Sequence, residues 1–91
     1  MEQPRNVNSI LELTIQSQDG SKLFFRMKPN ITMRTIFKYY CKEKQIIDYR
    51  TVHFVFDGQR ISARMTVEEA GLKDSNQIDA VLDQDGGGYA L

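Results

Sequence analysis

One cysteine, one histidine and no tryptophan stand in the 91 residues of this chain. One cysteine excludes an internal disulfide, and Cys41 with His53 falls short of the Cys/His ligand set that a structural zinc site takes. No metal and no cofactor is expected, and a lone thiol fits a reducing compartment. Charge of one sign is also missing. Twelve Lys and Arg balance twelve Asp and Glu, which speaks against a dedicated nucleic-acid binder, whose affinity comes from surplus basic charge. No apolar run approaches the roughly 20 residues of a membrane helix. The first residues, Met1-Glu2-Gln3-Pro4-Arg5-Asn6, lack the apolar stretch of a secretory signal. The expectation is a protein with no nucleic-acid and no membrane partner. What is present is ordinary: 41% hydrophobic and 26% charged residues, enough for one thin core in one small domain.

The patterning is that of a mixed α+β domain. Leu11, Leu13 and Ile15 alternate with Glu12, Thr14 and Gln16, the signature of a half-buried strand. Asp19-Gly20 follows as a hairpin turn, because glycine accepts the positive φ that such turns demand. The return strand over 22–28 sets Leu23, Phe25 and Met27 against Phe24, Arg26 and Lys28, and Pro29-Asn30 ends it. Thr32 fits a helix N-cap. Met33, Ile36, Phe37, Tyr40 and Cys41 then form an apolar stripe at helical spacing, with Arg34, Lys38 and Lys42 on the opposite side and Ile46 and Ile47 as loop anchors.

Val52, Phe54 and Phe56 alternate against Thr51, His53 and Val55 in a third strand, and Asp57-Gly58 turns it back toward Gln59-Arg60-Ile61. The segment 66–72 reads as a brief helical turn, with Thr66 and Glu69 as partners in a capping box. A last strand runs from Asn76 to Leu82 through Ile78, Ala80 and Leu82. Hairpin, helix, hairpin, short helix and strand, in that order, predict an α+β fold of the β-grasp type: a mixed sheet of four to five strands with one main and one short helix.

Gln18-Asp19-Gly20-Ser21, Phe25-Arg26-Met27-Lys28, Tyr40-Cys41, Phe54-Val55-Phe56-Asp57-Gly58-Gln59-Arg60-Ile61, Ile78-Asp79 and Gly86-Gly87 together resemble SUMO, the small ubiquitin-like modifier family, over roughly residues 11–87. Phe24-Phe25-Arg26 and Ile78-Asp79-Ala80 are similar to plant members. The resemblance implies a flexible N-terminal tail at 1–9, a ubiquitin-like domain at 10–83 and a flexible C-terminal tail at 84–91 with a diglycine and a short pro-extension. It implies no enzyme but a modifier, monomeric, in nucleus and cytoplasm. A SUMO protease would process it. A SUMO-activating enzyme and a SUMO-conjugating enzyme would join it to substrate lysines, and proteins with SUMO-interaction motifs would bind it. The matching conjugation residues are Gly86 and Gly87, with the cut between Gly87 and Gly88; the triple glycine leaves Gly87-Gly88 as a second register. The matching partner groove is Phe25, Arg26, Met27, Lys28, Ile36 and Tyr40.

Departures from the family pattern mark a divergent isoform. Pro29-Asn30 replaces a basic stretch, Thr35 replaces a lysine, and Glu43 stands where arginine is common. Ser62-Ala63-Arg64-Met65 and Lys73-Asp74-Ser75-Asn76 are less acidic than their counterparts, which bears on contact with the conjugating enzyme. Residues 1–21 contain no lysine, so poor chain formation is expected.

Each of these features also has a plainer reading. Cys41 and His53 as nucleophile and base would need to meet, yet Cys41 lies on the apolar stripe and His53 on the outward face of its strand, so no catalytic residue is expected. Gly86-Gly87-Gly88 alone would be a flexible end; the SUMO resemblance implies instead a terminus exposed by processing that would thread a narrow enzyme channel, where glycine lets the backbone approach closely. The groove residues also serve the core, and both uses can coexist. The remaining alternative is a β-grasp interaction domain that is never conjugated and uses only its groove.

Overall fold

The computed structural model describes residues 9–82. Strands β1 (Leu11–Gln16) and β2 (Lys22–Met27) form the first hairpin, and α1 (Met33–Lys44) follows. A 3₁₀ turn at Tyr49–Thr51 leads into β3 (Val52–Phe56), β4 (Gln59–Arg60) and β5 (Gln77–Leu82). The five strands form one sheet in the order β2-β1-β5-β3-β4. The central pair β1 and β5 is parallel, and the other pairs are antiparallel. This is the expected β-grasp arrangement, with β2 left on one edge.

Registers bring the inward residues of neighbouring strands level: Leu13 lies opposite Phe25, Ile15 opposite Ile78, and Phe54 opposite Ala80. Their core face meets the helix stripe Met33, Ile36, Phe37, Tyr40 and Cys41, every member of which is buried, as its spacing predicts. The Phe37 ring stacks on Phe54 at 3.8 Å between centroids, and Tyr40 meets Phe54 edge-on at 5.5 Å. An edge-to-face contact of the Tyr40–Phe54 kind adds to simple area burial.

Both Asp-Gly turns are present. Asp57 and Gly58 have φ of 54° and 78°, the two positive values of a tight hairpin turn between Phe56 and Gln59. Gly20, at φ 90°, closes the first hairpin, and the Asp19 carboxylate accepts hydrogen bonds from Ser21 N and Oγ at 2.9 and 2.7 Å. The Thr66–Glu69 capping box forms reciprocally, Thr66 N donating to Glu69 Oε1 at 2.9 Å and Glu69 N to Thr66 Oγ1 at 3.1 Å. It starts a single turn closed by Ala70 N to Thr66 O at 3.0 Å, and the short helix lies instead at Tyr49–Thr51, where the Asp48 carboxylate accepts from Arg50 N.

Three local expectations change. Thr32 occupies the N-cap position without capping through its side chain. Tertiary carbonyls satisfy the first helical donors instead: Met33 N bonds Met65 O at 2.7 Å, and Arg34 N bonds Ala63 O at 3.0 Å. Ile47 does not anchor the loop; it is wholly exposed, while Ile46 packs on the core. The cause is the helix end, where Gln45 turns left-handed at φ 61° and the Ile46 N–H reaches back to Cys41 O at 2.8 Å, turning Ile46 inward. Leu82 is exposed as well: it pairs with Val52 at the last register position of the sheet, beyond Ala80, which is buried.

Candidate functional site

Among the described residues β2 is an edge strand, bonded to β1 alone, so the outer row of its backbone N–H and C=O groups faces no other described strand. An unpaired edge of this kind accepts an added strand. Beside it runs α1, tied to the first hairpin by two hydrogen bonds: the Tyr40 hydroxyl with Ser17 Oγ at 2.5 Å, and Lys44 Nζ donating to Ser21 Oγ at 2.6 Å. Between strand and helix lies an open groove of about 570 Å³, lined by Leu23, Phe24, Phe25, Arg26, Tyr39 and Glu43.

The residues expected from the sequence distribute over two layers of this region. Phe25 and Arg26 line the groove itself, Phe25 half-buried and Arg26 exposed. Lys28 is exposed just beyond the end of β2. Met27, Ile36 and Tyr40 belong to the core, Ile36 and Tyr40 at 3% exposure. Sequence reasoning missed Tyr39, which is 59% exposed and lines the groove. The available signal was spacing: Tyr39 and Glu43 sit four apart on one helix face, as groove partners must. Phe24 is the other exposed aromatic here, on the opposite face of β2 from Phe25.

The rim is mixed in charge. Arg26 stands on the strand side and Glu43 on the helix side, with Thr35 exposed on α1. An extended ligand would therefore find backbone pairing and apolar surface along β2, and opposing charges at its flanks.

Cys41 and His53 are not brought together. Cys41 is buried on the core side of α1, whereas His53 alternates away from Val52 and Phe54, which are buried. Burial, and then the charge of Asp48, push the Cys41 thiol above its ordinary pKa, the reverse of what a nucleophilic thiolate requires. Among the described residues no cluster of His, Cys, Asp and Glu is placed to hold a metal ion. Gly86 and Gly87 lie outside the described residues; Gly86 is the fourth position after Leu82, where β5 ends.

Comparison with known proteins places this geometry. The family model described as "Ubiquitin-2 like Rad60 SUMO-like" matches residues 11–82. Small ubiquitin-related modifier 2 of Arabidopsis thaliana is 37% identical over 78 residues, which cover 86% of this chain and 75% of the relative. Small ubiquitin-related modifier 2 of Homo sapiens is 34% identical over 82 residues, covering 90% of this chain and 85% of the relative. Among solved structures, Caldiarchaeum Subterraneum Ubiquitin superposes with a TM-score of 0.73 over 81% of this chain and 94% of its own; at 20% identity that likeness speaks to the fold.

Proposed function

The chain belongs to the SUMO family of ubiquitin-like modifiers, and we propose that it is processed to a C-terminal diglycine ending at Gly87 and joined by an isopeptide bond to substrate lysines. The family makes it a protein tag and not an enzyme, and its partners are of the SUMO-pathway kind, enzymes and substrates. The observation that carries the proposal is a pair of glycines, Gly86 and Gly87, placed shortly after the last strand of a domain of this family. In this reading the chain supplies the electrophile and no catalyst. The Gly87 carboxylate would attack the α-phosphate of ATP at an activating enzyme, releasing pyrophosphate. A cysteine thiolate would then displace AMP to give a thioester, and a substrate lysine amine would displace that cysteine as the free thiol, leaving the isopeptide bond. Glycines without Cβ let that segment stay extended and approach an enzyme channel closely.

Treatment with a SUMO protease tests the register. The expected product ends at Gly87, read by intact mass; a product ending at Gly88, or no cleavage, contradicts the assignment.

The β2 edge is the proposed second mode of binding, taking the short hydrophobic strand of a SUMO-interaction motif by β-addition. Leu23 and Phe25 supply apolar surface in the groove, and Arg26 one cation. A rim carboxylate on the ligand gains on the order of 0.2–1 kcal/mol from an exposed ion pair, and Glu43 opposes it by a similar amount. Acidic residues beside the hydrophobic motif should therefore improve binding little, and Glu43→Arg should restore a gain of about two- to fivefold. Calorimetric titration with neutral and acidic-flanked peptides reads this directly. A strong acidic preference in the unaltered chain overturns the charge argument, and no binding of either peptide removes the groove.

A further inference from the structure

The helix has a second flank, turned away from the groove, and its residues have no role in the reading above. Arg34, Lys38 and Lys42 are all exposed there and line an open cleft of about 700 Å³ against the loop that follows α1. On the loop side Ile47 is 101% exposed, with Tyr49 half-buried beside it in the same cleft. Asp48, the acidic residue of this cleft, is already engaged: Arg50 Nε and Nη2 donate to its Oδ1 and Oδ2 at 3.0 and 3.1 Å. None of the three helix cations makes an ion pair among the described residues.

The surface is thus a row of three uncompensated cations beside an aliphatic side chain in water, on a chain whose net charge is zero. The row is not a by-product of general basicity. From this charge complementarity we infer that the outer flank of α1 docks an extended acidic segment of a partner protein, one carrying carboxylates at alternate positions and an apolar residue for Ile47.

The spacing supports that occupant. Residues four apart on a helix lie about 6.0 Å apart along its axis, and alternate residues of an extended strand repeat at roughly 6.6 Å. Three carboxylates at alternate positions therefore meet Arg34, Lys38 and Lys42 with an accumulated mismatch of about 1 Å, within the reach of flexible Lys and Arg stems. A nucleic-acid strand would also offer repeated negative charge. It has no use for Ile47, and a chain with zero net charge lacks the basic surplus on which such binding depends. The flank is separate from the groove, since Tyr39 and Glu43 each sit one residue, or about 100°, further round the helix.

Titrating the isotope-labelled full chain tests the inference with three probes: a short peptide with glutamate at alternate positions and one isoleucine, its glutamine twin, and oligothymidylate. The glutamate peptide should shift the amides of Arg34, Lys38, Lys42 and Ile47 and weaken as salt is raised. Lys38→Glu with Lys42→Glu should lower its affinity roughly tenfold, since each exposed pair lost and replaced by repulsion costs several-fold. Ile47→Ser should lower it about threefold, by removing apolar surface from the contact. Tyr39→Ala, a groove change, should leave it unaltered, so failure of the groove reading and failure of this one are told apart. Equal binding by the glutamine twin, equal or tighter binding by oligothymidylate, shifts confined to β2 and Tyr39, or no shifts at all would each overturn it.

Discussion

Phe54→Ala should remove about 3–5 kcal/mol of folding stability. Phe54 is 1% exposed, stacked on Phe37 and met edge-on by Tyr40, so its ring joins the third strand to the helix at two contacts. Truncation loses the transfer free energy of the ring and leaves a cavity that the stiff strand pair β3–β5 cannot close. Small domains hold roughly 5–15 kcal/mol in total, so the variant should sit near the edge of unfolding. Chemical denaturation should show a much lower midpoint with an unchanged slope, since the surface exposed on unfolding is nearly the same. Val55→Ala, one residue along and on the outward face, should cost less than about 1 kcal/mol. A larger loss at Val55 than at Phe54 would mean that β3 is inserted in the opposite register.

Ending the chain at Gly86 should abolish conjugation while leaving the fold intact. Removing Gly87 withdraws the carboxylate by about 3.3 Å of extended chain. Misplacement of a reacting group by even 1 Å costs on the order of 100-fold, so the yield of charged enzyme should fall at least that far. The denaturation midpoint should not change, because the buried core is complete by Ala80. This variant and Phe54→Ala thus separate the two parts of the account: one loses stability, the other loses chemistry. A chain ending at Gly86 that charges as well as one ending at Gly87 would place the reactive carboxyl elsewhere in the glycine run.

The features legible in the sequence are those carried by local pattern. The β1 and β2 alternations, the five-residue helix stripe, both Asp-Gly turns and the Thr66–Glu69 box each depend on residues within a turn or two of one another. Those missed depend on where another segment lies or on a backbone turn that the residue type does not announce. Thr32 looks like a cap, but Ala63 and Met65 carbonyls, some thirty residues on, take the helix donors first. Ile46 and Ile47 are chemically identical, and only the left-handed Gln45, at a position where glycine would have announced the motif, decides which one turns inward.

The groove divides in the same way. Its strand residues Phe25-Arg26-Met27-Lys28 are those the family resemblance implies, whereas Tyr39 on its helix wall is not among them. Tyr39 and Tyr40 are neighbours of one type, and the apolar stripe selects the member that is buried. The exposed one lines the groove with Glu43. The placement of Phe25 and Arg26 on the open edge follows from the order β2-β1-β5-β3-β4, which no local pattern specifies.

The central claim, that this chain is a conjugated member of its family and not an adaptor that only binds, comes down to one bond. The protein ending at Gly87 is incubated with SUMO-activating enzyme, SUMO-conjugating enzyme and ATP, and the products are resolved with and without thiol reductant. The account predicts a band of conjugating enzyme plus one modifier that depends on ATP, disappears on reduction, and on proteolysis yields a peptide ending in Gly87 on the enzyme's cysteine. No reducible product, from protein shown to be folded by its denaturation profile and active in groove binding, would contradict it and leave a β-grasp interaction domain in its place.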